Sequence, residues 1–323
     1  MMQDAIKDFP KQFAYKPIIE NENNLVRKDK VIVIGMGGSH LAGDMVSRLA
    51  SEMPVRVYND YGLPQLPEKE LEDSLIICSS YSGNTEEVLS AYDEARRKGL
   101  SVVAIAVGEQ LIENAKRDGI PYVQIPDTGI QPRSALGFSL MGHLKLLGRE
   151  DLLTELSFLA SLLDSTKIEK DGKALAERMK DCVPVIYCSR KNWTLAWNWK
   201  IKLNETGKIP AFYNIFPELN HNEMNGFDVQ ESTKFLSKNF YFLILKDNND
   251  HPKIKKRMEI TEKLYRNKGL AVETIELEGK TDAEKLFSSL ILADWTAVYT
   301  AELYGLESEQ VPMVEEFKGM IKE

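Results

Sequence analysis

At 323 residues the chain is long for one hydrophobic core and natural for two α/β domains. Hydrophobic residues make up 43% of it and charged residues 28%, so each half can bury a core of its own without disulfide staples. The formal net charge of −8 argues against nucleic acid or a membrane surface as partner, and an anionic ligand has to be held by a local set of donors.

The opening segment MMQDAIKDFPKQF is of mixed charge and has no apolar h-region, so no signal peptide is expected. No apolar stretch approaches the length of a membrane span. Cys78, Cys182 and Cys188 form no C-x-x-C pair, and Cys78 and Cys188 each close an apolar run. Buried free thiols in a reducing, cytoplasmic compartment are the expectation.

Strands are predicted at 31–34 (VIVI), 55–58 (VRVY), 74–79 (SLIICS), 101–107 (SVVAIAV) and 122–125 (YVQI). Helical patterns lie between them at 40–50, 84–98 and 109–117, and another follows at 134–148. Strand–helix alternation with near-continuous apolar strands predicts a parallel sheet with helices on both faces. A helical connector at 150–165 separates the halves, placing one domain at 1–152 and a second at 153–323. In the second half, strands are expected at 183–189, 241–245 and 272–277. Helices are expected at 191–206, ending at Gly207, and at 252–268 and 280–304.

Two bends carry chemistry. Gly35-Met36-Gly37-Gly38-Ser39 follows a buried strand and opens a helix, where glycines permit close approach and helix-start N–H groups face an anion. It is neither a dinucleotide fingerprint, since His40 stands where the third glycine belongs, nor a P-loop, since no lysine follows. A plain tight turn is the alternative. Ser80-Tyr81-Ser82-Gly83-Asn84-Thr85-Glu86-Glu87 follows the strand 74–79. Asn84 and Glu87 fit an N-cap with its partner, but capping needs one polar side chain and several crowd here. Ligands of open α/β sheets bind beyond the carboxyl ends of strands, so two such bends would surround one phosphate with neutral donors.

Arg133, after Pro132, sits at a predicted helix start, where a cation opposes the macrodipole. That placement has a functional explanation or a surface ion pair behind it. Trp193, Trp197, Ile201 and Glu205 recur every four residues on the helix 191–206. A carboxylate continuing an apolar row is partly desolvated, which suits it to act as a base; a solvated helix end is the alternative. His221 lies in the polar loop PELNHNE, where the residues alone favour a surface role. His143 reads as structural, His251 as a solvated turn, and His40 as a cap or ligand contact.

GMGGSHLAGD and SYSGNTEE together resemble the signature of sugar-isomerase (SIS) domains. PRSALGFSL and ETGKIPAFYNIFPELNHNEMNGFD are similar to segments of the bifunctional phosphoglucose/phosphomannose isomerases, and the resemblance covers nearly the whole chain. It implies two SIS domains, each a flavodoxin-like three-layer α/β sandwich. It also implies a cofactor-free, metal-independent aldose–ketose isomerase acting on hexose 6-phosphates. By the resemblance, Gly37, Gly38, Ser39, Ser80, Ser82 and Thr85 contact the phosphate. Glu205 is the base, His221 opens the ring from the partner subunit of a homodimer, and Arg133 stabilises the enediolate. Thr296 borders the sugar, with helix packing as its alternative. The family carries a lysine about two turns further along the last helix. Leu303 or Tyr304 stands there, leaving Lys202, Lys208 or a water to take its part. A non-catalytic sugar-phosphate binder would keep Ser80, Ser82 and Thr85 but need neither Glu205 nor His221. An amino-sugar phosphate enzyme with SIS domains is a third reading.

Overall fold

The computed structural model describes residues 2–321. The chain divides into two compact units. One is Asp8–Leu163; the other begins at Asp164 and takes in the start of the chain up to Lys7, most of helix α1 (Met2–Asp8).

The N-terminal unit holds β1 (Lys30–Ile34), β2 (Val55–Tyr58), β3 (Ser74–Ser79), β4 (Val102–Ala106) and β5 (Tyr122–Gln124). All are parallel, in the order β2-β1-β3-β4-β5. Its helices are α2 (Leu41–Leu49), α3 (Glu68–Glu72), α4 (Glu86–Arg97), α5 (Glu109–Asp118), α6 (Leu136–Leu146), α7 (Glu150–Ser157) and α8 (Leu159–Leu162). Alternation along the strands sends Ile32, Ile34, Ile76, Cys78 and Ala104 to the face covered by Val88, Tyr92, Leu111 and Ile112 of α4 and α5. Val33 points the other way, against Gly43 of α2, where a Cβ would come within 2.8 Å of it. Both faces are therefore covered, as the unbroken apolar strands require.

The C-terminal unit repeats the plan with β6 (Val183–Ser189), β7 (Phe212–Phe216), β8 (Phe240–Lys246) and β9 (Ala271–Glu276), parallel in the order β7-β6-β8-β9. Its helices are α9 (Ser165–Arg178), α10 (Trp193–Glu205), α11 (Glu223–Gly226), α12 (Lys234–Ser237), α13 (Pro252–Asn267), α14 (Asp282–Leu303) and α15 (Pro312–Met320). Tyr187, Phe216, Phe242 and Ile244 pack with Met258 and Tyr265 of α13 on one face. The other face meets α10 and α14, with Trp199, Phe287 and Trp295 fully enclosed.

Among the elements here with no counterpart in the sequence-based expectations are β7 and α9. β7 is an edge strand, half-exposed along Tyr213–Ile215, and Asn214 breaks its apolar run. Helix α9 is rich in charge and interrupted by Gly172. That glycine is there for packing: a Cβ would lie 2.4 Å from Trp295 Cβ on α14. Close approach of the two helices offsets the helix propensity that glycine forgoes, about 1 kcal/mol.

Candidate functional site

The two bends of the N-terminal unit are tied to one another. Tyr81 N–H donates to Ser39 Oγ at 2.8 Å, and Ser79 Oγ–H donates to the Ser39 carbonyl at 2.9 Å. Within the second bend, Gly83 N–H donates to Ser80 Oγ at 3.0 Å and Asn84 N–H to Ser82 Oγ at 3.3 Å. Ser80 Oγ and Thr85 Oγ1 share a hydrogen bond of 2.8 Å. A hydroxyl oxygen that accepts from the backbone keeps its own proton to donate. The Ser39 and Ser82 hydroxyls therefore offer donors outward, and the Ser80–Thr85 pair supplies another.

Thr85, not Asn84, is the N-cap residue of α4, and its side chain makes no cap bond. The capping expectation for Asn84 thus shifts by one residue. Asn84 Oδ1 instead accepts from Gln110 N–H at 3.2 Å, and the Thr85 hydroxyl turns into the bend. Gly83 has no substitute here. Its φ is +86°, and a Cβ would stand 2.0 Å from the Gly108 carbonyl oxygen.

Arg133 joins this group. The turn Pro132–Ser134 packs on the turn Gly37–Ser39 so tightly that a Cβ on Gly38 would lie 2.8 Å from Arg133 N. Arg133 is 2% exposed, so a surface ion pair does not describe it. Its turn is held by a residue that sequence reasoning passed over. Gln12 Nε2 donates to the Ser134 carbonyl at 2.7 Å, and its Oε1 accepts from Gly137 N–H at 2.9 Å and Phe138 N–H at 3.3 Å. It thereby satisfies first-turn donors of α6 from more than a hundred residues away. No local signal marks a glutamine for that part. His40 is buried on Asp44, Nδ1 to Oδ2 2.9 Å, a pairing that fastens the start of α2.

In the C-terminal unit, Glu205 is the last residue of α10 and half-buried. The row Trp193, Trp197, Ile201, Glu205 is not the core face of the helix. Leu195, Trp199 and Leu203 are fully buried, whereas both tryptophans of the row are partly open. Gly207 ends the helix as expected, but by close approach: its Cβ would meet the Leu203 carbonyl at 2.7 Å. The left-handed residue is Lys208, φ +58°, whose ammonium donates to the Glu205 carbonyl at 2.6 Å and also to that of Gln310. Lys202 is buried and paired with Asp294 of α14 at 2.6 Å.

His221 ends a short 3-10 turn after β7 and is exposed. Glu223 clamps this loop to the sheet, accepting from Tyr187 Oη–H at 2.5 Å and Asn214 Nδ2 at 2.5 Å. Burial, the neighbouring Tyr265 and the Glu223 carboxylate all push the Tyr187 phenol well above its ordinary range, so it stays a proton donor. Glu223 was visible in the motif, but nothing local distinguished it from Glu218. Thr296 is fully buried, and its hydroxyl donates to the Leu292 carbonyl at 2.7 Å. Gly37, Gly38, Ser39, Ser80, Ser82, Thr85 and Arg133 thus lie in the N-terminal unit, and Glu205, His221 and Thr296 in the C-terminal unit. A cavity of about 450 Å³ bounded by Arg178, Glu273 and Ser289 includes none of them.

Residues 168–321 match the family described as bacterial phospho-glucose isomerase C-terminal SIS domain. A bifunctional phosphoglucose/phosphomannose isomerase of Aquifex aeolicus is 34% identical over 98% of this chain and 97% of its own. One of Caldicellulosiruptor bescii is 35% identical over 91% and 90%. Among solved structures, the tagatose-6-phosphate ketose/aldose isomerase of Escherichia coli superposes with a TM-score of 0.70 at 17% identity, covering 96% of this chain and 95% of that one. The last likeness is one of fold, the SIS fold.

Proposed function

The chain belongs to the bifunctional phosphoglucose/phosphomannose isomerase family, and from that premise we propose that it interconverts glucose 6-phosphate, and mannose 6-phosphate as a second aldose, with fructose 6-phosphate. The observation that carries the proposal is the pair of interlocked bends at the ends of β1 and β3, where the Ser39 and Ser82 hydroxyls and the Ser80–Thr85 pair each keep a proton to donate, beside the buried Arg133. Neutral donors and helix-start N–H groups hold a phosphate without a metal.

In the proposed mechanism the N-terminal unit grips the phosphate through Gly37, Gly38, Ser39, Ser80, Ser82 and Thr85. His221 opens the sugar ring. The Glu205 carboxylate then takes the C2 proton of the open aldose, leaving a cis-enediolate, and returns it to C1 as the O2 proton passes to O1, giving the ketose. Arg133 faces the negative charge that develops on the enediolate oxygens. Exposure of His221 suits a homodimer in which this histidine completes the site of the other subunit. Lys202 is committed to Asp294, and Lys208 to two carbonyls, so ring opening is assigned to His221 alone. Thr296, with its donor spent on its own helix, is assigned to shaping the sugar's surroundings by packing. Three free cysteines, two of them buried, suit a cytoplasmic location.

The test is a steady-state assay with glucose, mannose and fructose 6-phosphates on wild type and Glu205→Gln. The variant is expected to lose about 10²–10⁴-fold in kcat with KM within a few-fold, the size of a general-base contribution. Unchanged turnover would remove Glu205 from the mechanism. Turnover abolished by chelation and restored by zinc would replace the mechanism altogether.

A further inference from the structure

The two units share a strand–bend–helix plan, and the bends differ in one chemical respect. In the N-terminal unit, β1 runs into the 3-10 turn Gly37–Ser39 and β3 into the Ser80–Thr85 bend. In the C-terminal unit, β6 and β8 hold the corresponding central places of the sheet. β6 runs into the 3-10 turn Arg190–Asn192, and β8 runs into Asp247-Asn248-Asn249-Asp250 before α13. Neither bend holds a glycine, and Lys191 of the first and Lys285 of α14 flank the Asp247 carboxylate of the second.

Asp247 is 1% exposed and Lys285, on the first turn of α14, 6%. Lys285 Nζ donates to Asp247 Oδ1 at 2.7 Å and also to Asn248 Oδ1. Lys191 Nζ donates to Asp247 Oδ2 at 3.2 Å and lies 3.2 Å from Asp282 Oδ2. Asn249 N–H adds a donor to Asp247 Oδ1 at 3.0 Å. Asp247 thus receives what a bound oxyanion would receive: two ammonium groups and a backbone amide at the carboxyl end of a central strand. Burial works against its ionisation, but Lys285, the Asn249 amide and Lys191 outweigh it and hold the carboxyl at about 2. With Asp250 and Asp282 also at hand, the cluster carries three carboxylates against two ammonium groups, and a free dianion is repelled.

We infer that the C-terminal unit contains a second anion site closed by its own Asp247 carboxylate, so that each chain takes a single sugar phosphate and removal of Asp247 opens a phosphate site on Lys285 and Lys191. The count of one rests on the reading that the N-terminal bends hold the substrate phosphate; the opening of the second site does not.

The experiment counts bound ligand per chain by calorimetry, with fructose 6-phosphate and with inorganic phosphate. Wild type is expected to bind one of either. Asp247→Ala is expected to bind one more phosphate than wild type, and Asp247→Ala/Lys285→Met to return to the wild-type count. Two fructose 6-phosphates per wild-type chain would overturn the inference, as would folded Asp247→Ala with no extra phosphate. Taking one partner from a buried pair is destabilising, so Asp247→Ala is also refolded in phosphate and in chloride of equal ionic strength. Folding in phosphate alone supports the site, because the anion replaces the lost carboxylate. Failure in both, with the double variant folding, rejects it. Wild type that binds no sugar phosphate would sink the isomerase reading, while the difference between Asp247→Ala and wild type would still decide the second site.

Discussion

At the scale of single residues, the two bends proposed to hold the phosphate depend on hydroxyls that accept from one partner and donate to another. Ser80 is the most connected, since its oxygen takes the Gly83 N–H and shares a proton with Thr85. In the proposed site, Ser80→Ala removes a donor to the phosphate, and it leaves the buried Gly83 amide without its acceptor. Hydrogen bonds to charged groups contribute about 1.5–3 kcal/mol. KM for a hexose 6-phosphate is therefore expected to rise about tenfold or more, with a smaller change in kcat, because the phosphate is gripped equally in ground and transition states. A fall in kcat at constant KM would mean that Ser80 acts on the reacting carbons instead. Gln12 and Glu223 stand one step back: each positions a loop, the first that of Arg133, the second that of His221.

At the scale of elements, α6 illustrates how packing dictates protonation. His143 is fully buried, and its Nδ1–H donates to the Ser139 carbonyl at 2.8 Å. Its Nε2 is enclosed without a hydrogen-bond partner, so a proton added there would sit as an uncompensated charge. Burial accordingly lowers the imidazole pKa from 6.5 to about 4, with the Ser139 carbonyl opposing weakly. The folded value lies below the unfolded one, so the contribution is intact above pH 6.5 and is lost as pH falls from there toward 4. The full span amounts to about 3 kcal/mol. Denaturant melts of wild type and His143→Leu across that range should show a shallower acid slope in the variant. Equal slopes would place the acid sensitivity in the carboxylates. The same helix depends at its start on Gln12, a contact distant in sequence.

At the scale of the whole molecule, the proposed composite site predicts complementation. Glu205→Gln and His221→Ala should each be inactive as homodimers. If His221 crosses to the other subunit, a mixed dimer has one site with both native residues and one with neither. Random remixing at equal amounts should then restore about a quarter of the wild-type rate. No recovery, with subunit exchange verified by mass, would keep Glu205 and His221 within one chain. The parallel strands, the helices between them and the two glycine–hydroxyl bends were legible in the sequence, because apolar periodicity and turn chemistry depend on residues close along the chain. The half-exposed strand β7 and the charged helix α9 were not, since edge exposure and the Gly172–Trp295 contact follow from neighbours far away in sequence. The sequence by itself determined two parallel α/β sheets and marked the two bends proposed to grip an anion. Only the tertiary structure decided that Thr85 faces the bend instead of capping, that Gln12 holds the Arg133 turn, and that Asp247 after β8 takes Lys285 and Lys191. Each of these is a pairing between groups whose separation along the chain carries no pattern, so it comes into being only when the fold brings donor and acceptor together.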